Sequence, residues 1–600
     1  MTKQKIPFWR VFWPGLTAVI IGGLISIFVF FFVTYAIFSS FFDIDKSTLD
    51  VKENTILQLK LDGTISEKSS NTLSGLKINQ NIGLSDILFG INKAKNDSRI
   101  KGILIELGNV ECGISTANEI RDAILDFKSS GKFVISYLSG EYVSQKSYYI
   151  SSAAEEIYSF PNSAFQWTGL GGEIIFFKGL LDKLDIDVEI IKGRDNHFKS
   201  AVEPFSLKKM SDSSKVQTKK FLNVIWNDMT STIAKERGID RQKLENIADS
   251  LLIRKMDDAL KYKLTDSLIY KDELLDILAK KVGISNSLNI EFLSLEKYSK
   301  RFFYDQQESL SENKPRIAVL IAEGEITKNG DELSSKKICS LLRKIKKESA
   351  IKSVVLRINS PGGSALASEE IWRELSELKK EKEIVVSMGD VAASGGYYIA
   401  TPAEKIFAES TTITGSIGVF GMVPYLGDFL QNKIGLTFDH VATNKHSIIS
   451  LNRRLSKDEL AITQSEVDDI YLQFLERVSK GRNISMDSVN QIARGRVWAG
   501  DDALKIGLVD QIGGLSDAIQ YVAEKNNFSS SQVIYYPIVK RTFFDKLSDY
   551  IEDNKDDLDI EDENIQSEIV NDFNSYLKAL YRLESMVGIQ MRMPFELKIN

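Results

Sequence analysis

Histidine and cysteine are scarce in these 600 residues: three histidines, His197, His440 and His446, and two cysteines, Cys112 and Cys339. A zinc cluster or a disulfide framework needs more side chains than that, and a histidine-based triad has few candidates. Neither a metal nor a cofactor is expected. Ten prolines and 38 glycines are too few for a collagen-like or low-complexity chain. Basic charge is not in excess either: 76 Lys plus Arg against 82 Asp plus Glu leaves −6, so nucleic acid is not expected as a partner. No Gly-Lys-Ser/Thr follows Thr168-Gly169-Leu170-Gly171-Gly172, which therefore reads as a turn and not as a phosphate loop. What remains is a globular composition, 43% apolar and 26% charged, in a chain too long for one core.

One segment departs from that composition. No charged residue occurs between Arg10 and Asp43, and the run 12–42 is dominated by Ile, Val, Phe and Leu. About 20 apolar residues span a bilayer, so the run is expected to be a single transmembrane helix. It is too long for the apolar stretch of a cleaved signal peptide, and no other segment is apolar enough to make a buried core helix the better reading. Lys3, Lys5 and Arg10 precede it and Asp43 and Asp45 follow. The positive-inside rule then leaves residues 1–11 in the cytoplasm and the rest of the chain outside. In a bacterium this is a single-pass protein of the inner (cytoplasmic) membrane with a periplasmic or extracytoplasmic body.

That body repeats itself. Ile100-Lys101-Gly102-Ile103-Leu104-Ile105 aligns with Ile351-Lys352-Ser353-Val354-Val355-Leu356, Tyr148-Tyr149-Ile150 with Tyr397-Tyr398-Ile399, and Asp257-Asp258-Ala259-Leu260-Lys261 with Asp501-Asp502-Ala503-Leu504-Lys505. The order is kept and the offset drifts only from 251 to 244. Two copies of one domain are expected, 48–300 and 315–540, followed by an acidic connector and tail over 541–600. In the second copy Ile317–Ile321, Ser353–Ile358, Ile384–Ser387 and Lys405–Ala408 read as buried strands, with helical patterns at Ser368–Lys380 and from Gly395. The alternation predicts an α/β domain with a parallel or mixed sheet. Long helices are expected at Ser211–Arg237 and Ser456–Arg482.

Chemistry is written into two turns of the second copy, Asn359-Ser360-Pro361-Gly362-Gly363-Ser364 and Ala392-Ala393-Ser394-Gly395-Gly396-Tyr397. A serine at a strand-to-helix junction can expose its hydroxyl beside outward-pointing backbone N–H groups, the parts of an acyl-transfer site. A helix N-cap would equally account for Ser394. The first copy has Gln145 and Lys146 where Ser394 and Gly395 stand, Val110-Glu111-Cys112 for the Pro361-Gly362-Gly363 turn, and Leu170 for Ser416. Since the repeat tolerates their loss, these residues point to chemistry more than to folding.

Together with Thr414-Gly415-Ser416-Ile417-Gly418 and Lys199-Ser200-Ala201-Val202-Glu203-Pro204-Phe205, these motifs resemble the long, duplicated form of the bacterial signal peptide peptidase A family. The resemblance spans nearly the whole chain. It implies a tandem Clp-protease/crotonase-like fold and a serine endopeptidase with a Ser/Lys dyad. Carried over, Ser394 is the nucleophile, Lys199 the general base and Ser416 its orienter, with Gly362, Gly363 and Gly395 around the oxyanion hole. Released signal peptides and other short apolar peptides are the implied substrates, membrane lipid a partner through the anchor, and a homotetramer the implied assembly. An inactive scaffold of this fold and a crotonase-like thioester enzyme are the alternatives.

A lysine base needs its pKa lowered from about 10.4 toward 7 by desolvation. The neighbours of Lys199 allow that, but Lys445 is its counterpart in the second copy at an offset of 246 and competes for the role. His440 and His446 lack an evident carboxylate orienter. Cys112 has no base nearby and, like Cys339, reads as a small buried residue or isolated thiol.

Overall fold

The computed structural model describes residues 51–538 apart from 75–76, 309–313, 331 and 529–531, then 588–593, and a subset of residues between 9 and 32. Of the expected span 12–42, residues 33–42 and several earlier ones lie outside the described residues, and those described are helical and exposed. Among the described residues no helix is long and apolar enough to cross a membrane. Most of the expected tail 541–600 is likewise outside them. Both copies and the strand Gly588–Arg592 belong to one compact unit, Lys52–Lys540 with Glu563–Asn600.

The duplication is visible in strand order. In the first copy Ser267–Leu268, Glu156–Ser159, Phe133–Leu138, Ile100–Glu111, Thr55–Thr64 and Phe292–Ser294 lie side by side, all parallel. In the second, Gln511–Ile512, Lys405–Ala408, Glu383–Ala393, Ile351–Ser360, Arg316–Glu323 and Gln532–Tyr536 follow the same order, again parallel. Parallel sheets need both faces covered, hence continuous apolar runs in place of alternation. Val354, Val355 and Leu356 are successive examples, all without exposure. Two further strands, Ile413–Gly415 and Val497–Ala499, extend the second sheet beyond the end of Glu383–Ala393.

The long helices are Asp212–Arg237 and Lys457–Arg482, capped by the side chains of Ser211 and Ser456 and ended by left-handed Gly238 and Asn483. The copies are joined by backbone pairing and by buried charge. Asp187–Lys192 of the first copy runs antiparallel to Phe420–Tyr425 of the second. Arg357, fully buried in the second sheet, donates to Glu67 at 2.8 Å and Glu119 at 2.5 Å, both from the first copy. Asp390 accepts from the Gly113 and Thr116 nitrogens at 3.0 and 2.9 Å. A third sheet therefore draws on both halves, in the order Leu333–Ser334, Ile326–Thr327, Gly362–Ser364, Gly588–Arg592, Phe420–Tyr425 and Asp187–Lys192.

Candidate active site

Three chain segments meet where the third sheet crosses the C-terminal ends of the second. The strand Glu383–Ala393 ends at Ser394, whose φ of 55° and ψ of −114° turn the chain sharply into the short helix Gly395–Ala400. Such a backbone is costly for a residue with a Cβ and persists only where its surroundings enforce it. The Ser394 nitrogen donates to the Gly415 carbonyl at 2.8 Å, and the Ser394 carbonyl accepts from Tyr398 at 2.8 Å. Ser416 also has a positive φ, 49°, and its nitrogen donates to the Arg496 carbonyl at 2.7 Å.

Lys199 comes from the first copy. Its segment is pinned to the second by the Gly193 nitrogen and the Asn196 Nδ2 on the Val419 carbonyl, at 3.1 and 3.0 Å, and by the Phe198 nitrogen on the Arg494 carbonyl at 3.0 Å. The side-chain nitrogen Nζ lies 2.7 Å from Ser394 Oγ and 3.0 Å from both the carbonyl oxygen and Oγ of Ser416. Lys199, Ser394 and Ser416 are all completely buried. Burial alone drives the Lys199 pKa well below its ordinary value, with no carboxylate acting in the other direction. The serine hydroxyl, expected to be exposed, is covered, with the Lys199 nitrogen 2.7 Å from it.

The glycines of both turns are there for space. A methyl group on Gly362, whose φ is +97°, would overlap the Met591 carbonyl oxygen and stand 2.7 Å from the Gly395 nitrogen. One on Gly395 would stand 3.1 Å from the same carbonyl oxygen. Gly362 and Gly395 thus border one small volume next to Ser394, while a methyl group on Gly363 would overlap the Ile326 carbonyl oxygen.

The competing residues are elsewhere. Lys445 is exposed and paired with Asp458, His440 and His197 are exposed, and His446 contacts Glu459 at 3.4 Å on the surface. Burial pushes the Cys112 thiol up to about 12 and that of Cys339 up to about 11, which leaves both as inert thiols. In the first copy Gln145 occupies the place of Ser394 and is fully bonded: Oε1 accepts from the Thr168 and Gly169 nitrogens and Nε2 donates to the Gly169 carbonyl, each at 3.0 Å. Gly169 and Gly415 share a positive φ, 85° and 78°, although Gly415 ends the strand Ile413–Gly415, so the second glycine segment opens as a strand and not as a turn. Among the described residues no group of His, Cys, Asp and Glu could hold a metal.

Residues 126–285 and 376–529 match peptidase family S49, and residues 315–413 match Clp protease. The chain belongs to peptidase family S49. The two matched segments are one duplicated S49 domain, and the fold is the α/β fold of the Clp proteases. Protease 4 of Haemophilus influenzae is 34% identical over 496 residues, 79% of either chain. The chloroplastic serine protease SPPA of Arabidopsis thaliana is 30% identical over 80% of this chain and 70% of that one. A putative signal peptide peptidase SppA of Enterococcus faecium is 35% identical over 38% of this chain and 70% of its own. The S49 chain is accordingly a serine protease.

Two parts of this site escaped the sequence reading. Gly495, with φ +75°, lets the backbone pass the lysine, since a methyl group there would stand 2.6 Å from the Lys199 Cβ. Its only signal is a glycine between Arg494 and Arg496. The strand Gly588–Arg592 falls in the segment 541–600 that the sequence reading treats as an acidic connector and tail, although Ile589, Met591 and Met593 alternate with Gln590 and Arg592 at the strand period.

Proposed function

We propose that this S49 protease is an endopeptidase that uses Ser394 as nucleophile and Lys199 as general base, and that it degrades released signal peptides and other short apolar peptides. The observation that carries this reading is the set of three contacts at the Lys199 nitrogen. A neutral amine has one lone pair and two N–H groups. The lone pair accepts the Ser394 hydroxyl proton over 2.7 Å, while the N–H groups donate to the carbonyl and Oγ of Ser416 at 3.0 Å each. An ammonium would leave its charge without a counter-ion in a dry site, so the neutral form required of a base is also the form the site favours.

In the reaction Ser394 Oγ attacks the peptide carbonyl while Lys199 takes its proton. The N–H groups of Gly395 and the Gly362-Gly363 turn stabilise the oxyanion, and Lys199 returns the proton to the leaving amine. Water then opens the acyl-enzyme by the reverse sequence. Relatives with the names signal peptide peptidase SppA and Protease 4 support peptide substrates. The apolar run 12–42 supports attachment to the bacterial cytoplasmic membrane, with the N-terminus inside and the catalytic body outside, where apolar peptides partition. The implied homotetramer belongs to the same proposal.

Labelling with a fluorophosphonate tests it. Modification of Ser394 in the wild type, lost in both Ser394→Ala and Lys199→Ala, is the expected result. Absence of labelling in the wild type, or undiminished labelling without the lysine, overturns it.

A further inference from the structure

Between the strand Asp187–Lys192 and the short helix Glu203–Ser206 the chain around Lys199 forms only turns and irregular backbone. The place of the amine therefore depends on what holds that segment from outside. The long helix Asp212–Arg237 supplies Gln217, which is 2% exposed. Gln217 Nε2 donates to the Phe198 carbonyl at 3.2 Å and to Ser200 Oγ at 3.0 Å, one residue on either side of Lys199. Its Oε1 accepts from the Val497 nitrogen at 3.3 Å. A backbone N–H on one side and a backbone carbonyl on the other admit only this orientation of the amide.

The bond to Val497 crosses to the other half of the site. Val497 pairs with Gly415 at the edge of the second sheet. The Gly415 carbonyl accepts from the Ser394 nitrogen at 2.8 Å, and Ser416, next in the chain, holds the lysine amine through its carbonyl and Oγ. One buried amide thus ties the backbone on both sides of Lys199 to the strand end beside Ser394. Lys220, three residues further along the same helix, pairs with Asp502 at 2.8 Å and lies 5.1 Å from the Trp498 ring, which keeps the helix on that strand. The repeat shows that folding does not require the amide. Ser211 and Ser456 cap the two long helices, and the same offset of 245 sets Gln217 against Ile462, which is 52% exposed. No buried amide stands there in the copy whose lysine, Lys445, is in solvent on Asp458.

We propose that Gln217 is a positioning residue of the peptidase reaction, an amide clasp that fixes the backbone around Lys199 so that its amine stays dry and 2.7 Å from Ser394 Oγ. This rests on the Ser394/Lys199 reading. Gln217 acts through the lysine and takes no part in bond making. Without the amide, the Phe198 carbonyl and the Ser200 hydroxyl lose their buried donor, and water is the partner that replaces it. Water beside Nζ solvates the ammonium form and returns the amine toward the pKa of a free lysine. Burial alone lowers that pKa. Asp195, His197 and Glu203 on the lysine's own segment, Lys220 on the helix and Arg494 and Arg496 beside the facing strand contribute nothing to it. Displacement of a reacting group by about 1 Å costs on the order of 10²-fold in rate.

The test records kcat and kcat/KM against pH on one fluorogenic peptide, with melting temperatures and fluorophosphonate labelling, for the full-length wild type, Gln217→Met, Ser200→Ala and Gln145→Ser. Gln217→Met keeps the side-chain length and removes all three bonds. It should lose about 10–10²-fold in kcat with KM within about twofold, and the midpoint of its kcat/KM profile should lie about 1 pH unit or more above that of the wild type. Ser200→Ala removes one bond and should move the midpoint the same way by less. Gln145→Ser loses three hydrogen bonds elsewhere in the first copy, so it should melt lower and keep the wild-type midpoint. A folded Gln217→Met with the wild-type midpoint, whatever its rate, or an equal shift in Gln145→Ser overturns this inference and spares the dyad. Should Gln217→Met not fold, Ser200→Ala decides: a raised midpoint supports the clasp and an unchanged one overturns it. A wild type that is not labelled at Ser394 overturns both the clasp and the dyad.

Discussion

Lys199 and Ser394 are 195 residues apart in sequence and 2.7 Å apart in space, one in each half of the duplication. The first copy carries Gln145 where the second has Ser394, and it contributes the lysine that lies beside that serine. The lysine's segment is held against the second copy by the Gly193 and Phe198 nitrogens and the Asn196 side-chain amide, which donate to the Val419 and Arg494 carbonyls. A site built this way requires the two copies to stay docked.

Lys199→Ala should abolish peptide hydrolysis, by at least the 10²–10⁴-fold that general-base assistance is worth, while Lys445→Ala should be close to wild type. Lys199→Arg should not rescue, because a guanidinium stays protonated. Steady-state rates on one fluorogenic peptide decide it. A dead Lys445→Ala beside an active Lys199→Ala would move the base to the surface loop and refute the pairing.

The lowered pKa of Lys199 has consequences for both rate and stability. Activity should rise with pH through a single apparent pKa below that of a free lysine, because only the neutral amine accepts a proton. For stability the folded pKa lies below the unfolded value of about 10.4, so between the two the unfolded chain binds more protons. The wild type should therefore gain stability relative to Lys199→Met as pH rises through that window. Denaturant titrations of both proteins at several pH values read the difference. A gap that does not change with pH would mean the lysine is not desolvated.

Much of this was legible because the sequence contains its own comparison. The Ile100–Ile105 and Ile351–Leu356 runs are both central strands, and Gln145 against Ser394 singled out the position that Lys199 contacts without any outside reference. The choice between Lys199 and Lys445 was not legible from spacing, since repeat symmetry makes them equivalent. What separates them in the structure is that the Lys199 loop is pinned against the second copy next to Ser394 and Lys445 is left in solvent on Asp458. Arg357, Glu67 and Glu119 were invisible for a related reason. A charged residue inside an apolar strand acquires meaning only when two carboxylates from the other copy close on it.

Gln145→Ser should not create a second reactive serine. Its three amide hydrogen bonds to Thr168 and Gly169 would be lost, at about 1–3 kcal/mol, and the counterpart lysine, Lys445, is exposed and paired elsewhere. Fluorophosphonate stoichiometry should stay at one per chain, with a lower melting temperature. Two labels per chain would show that the first copy keeps a latent site.

The buried Arg357 should prove to be the clamp between the halves. Removing one member of a buried charge cluster leaves the others unpaired, at about 3–5 kcal/mol, so Arg357→Met should be strongly destabilised at neutral pH and should lose activity as the copies separate. Burial already pushes the Glu119 carboxyl up to about 7, with the Arg357 charge opposing and the Glu67 charge adding to the rise. A carboxyl whose folded pKa is raised keeps its proton in the fold while the unfolded chain has released it. Its contribution to stability is present below the ordinary carboxylate value and lost as pH climbs toward 7. Without the guanidinium that trend should steepen, so Arg357→Met should recover part of its stability on acidification from pH 7 to 5. Glu119→Gln should flatten the slope in the protein that retains Arg357. Urea unfolding of the three proteins across that range measures it, and parallel pH profiles would exclude Glu119 as the titrating group.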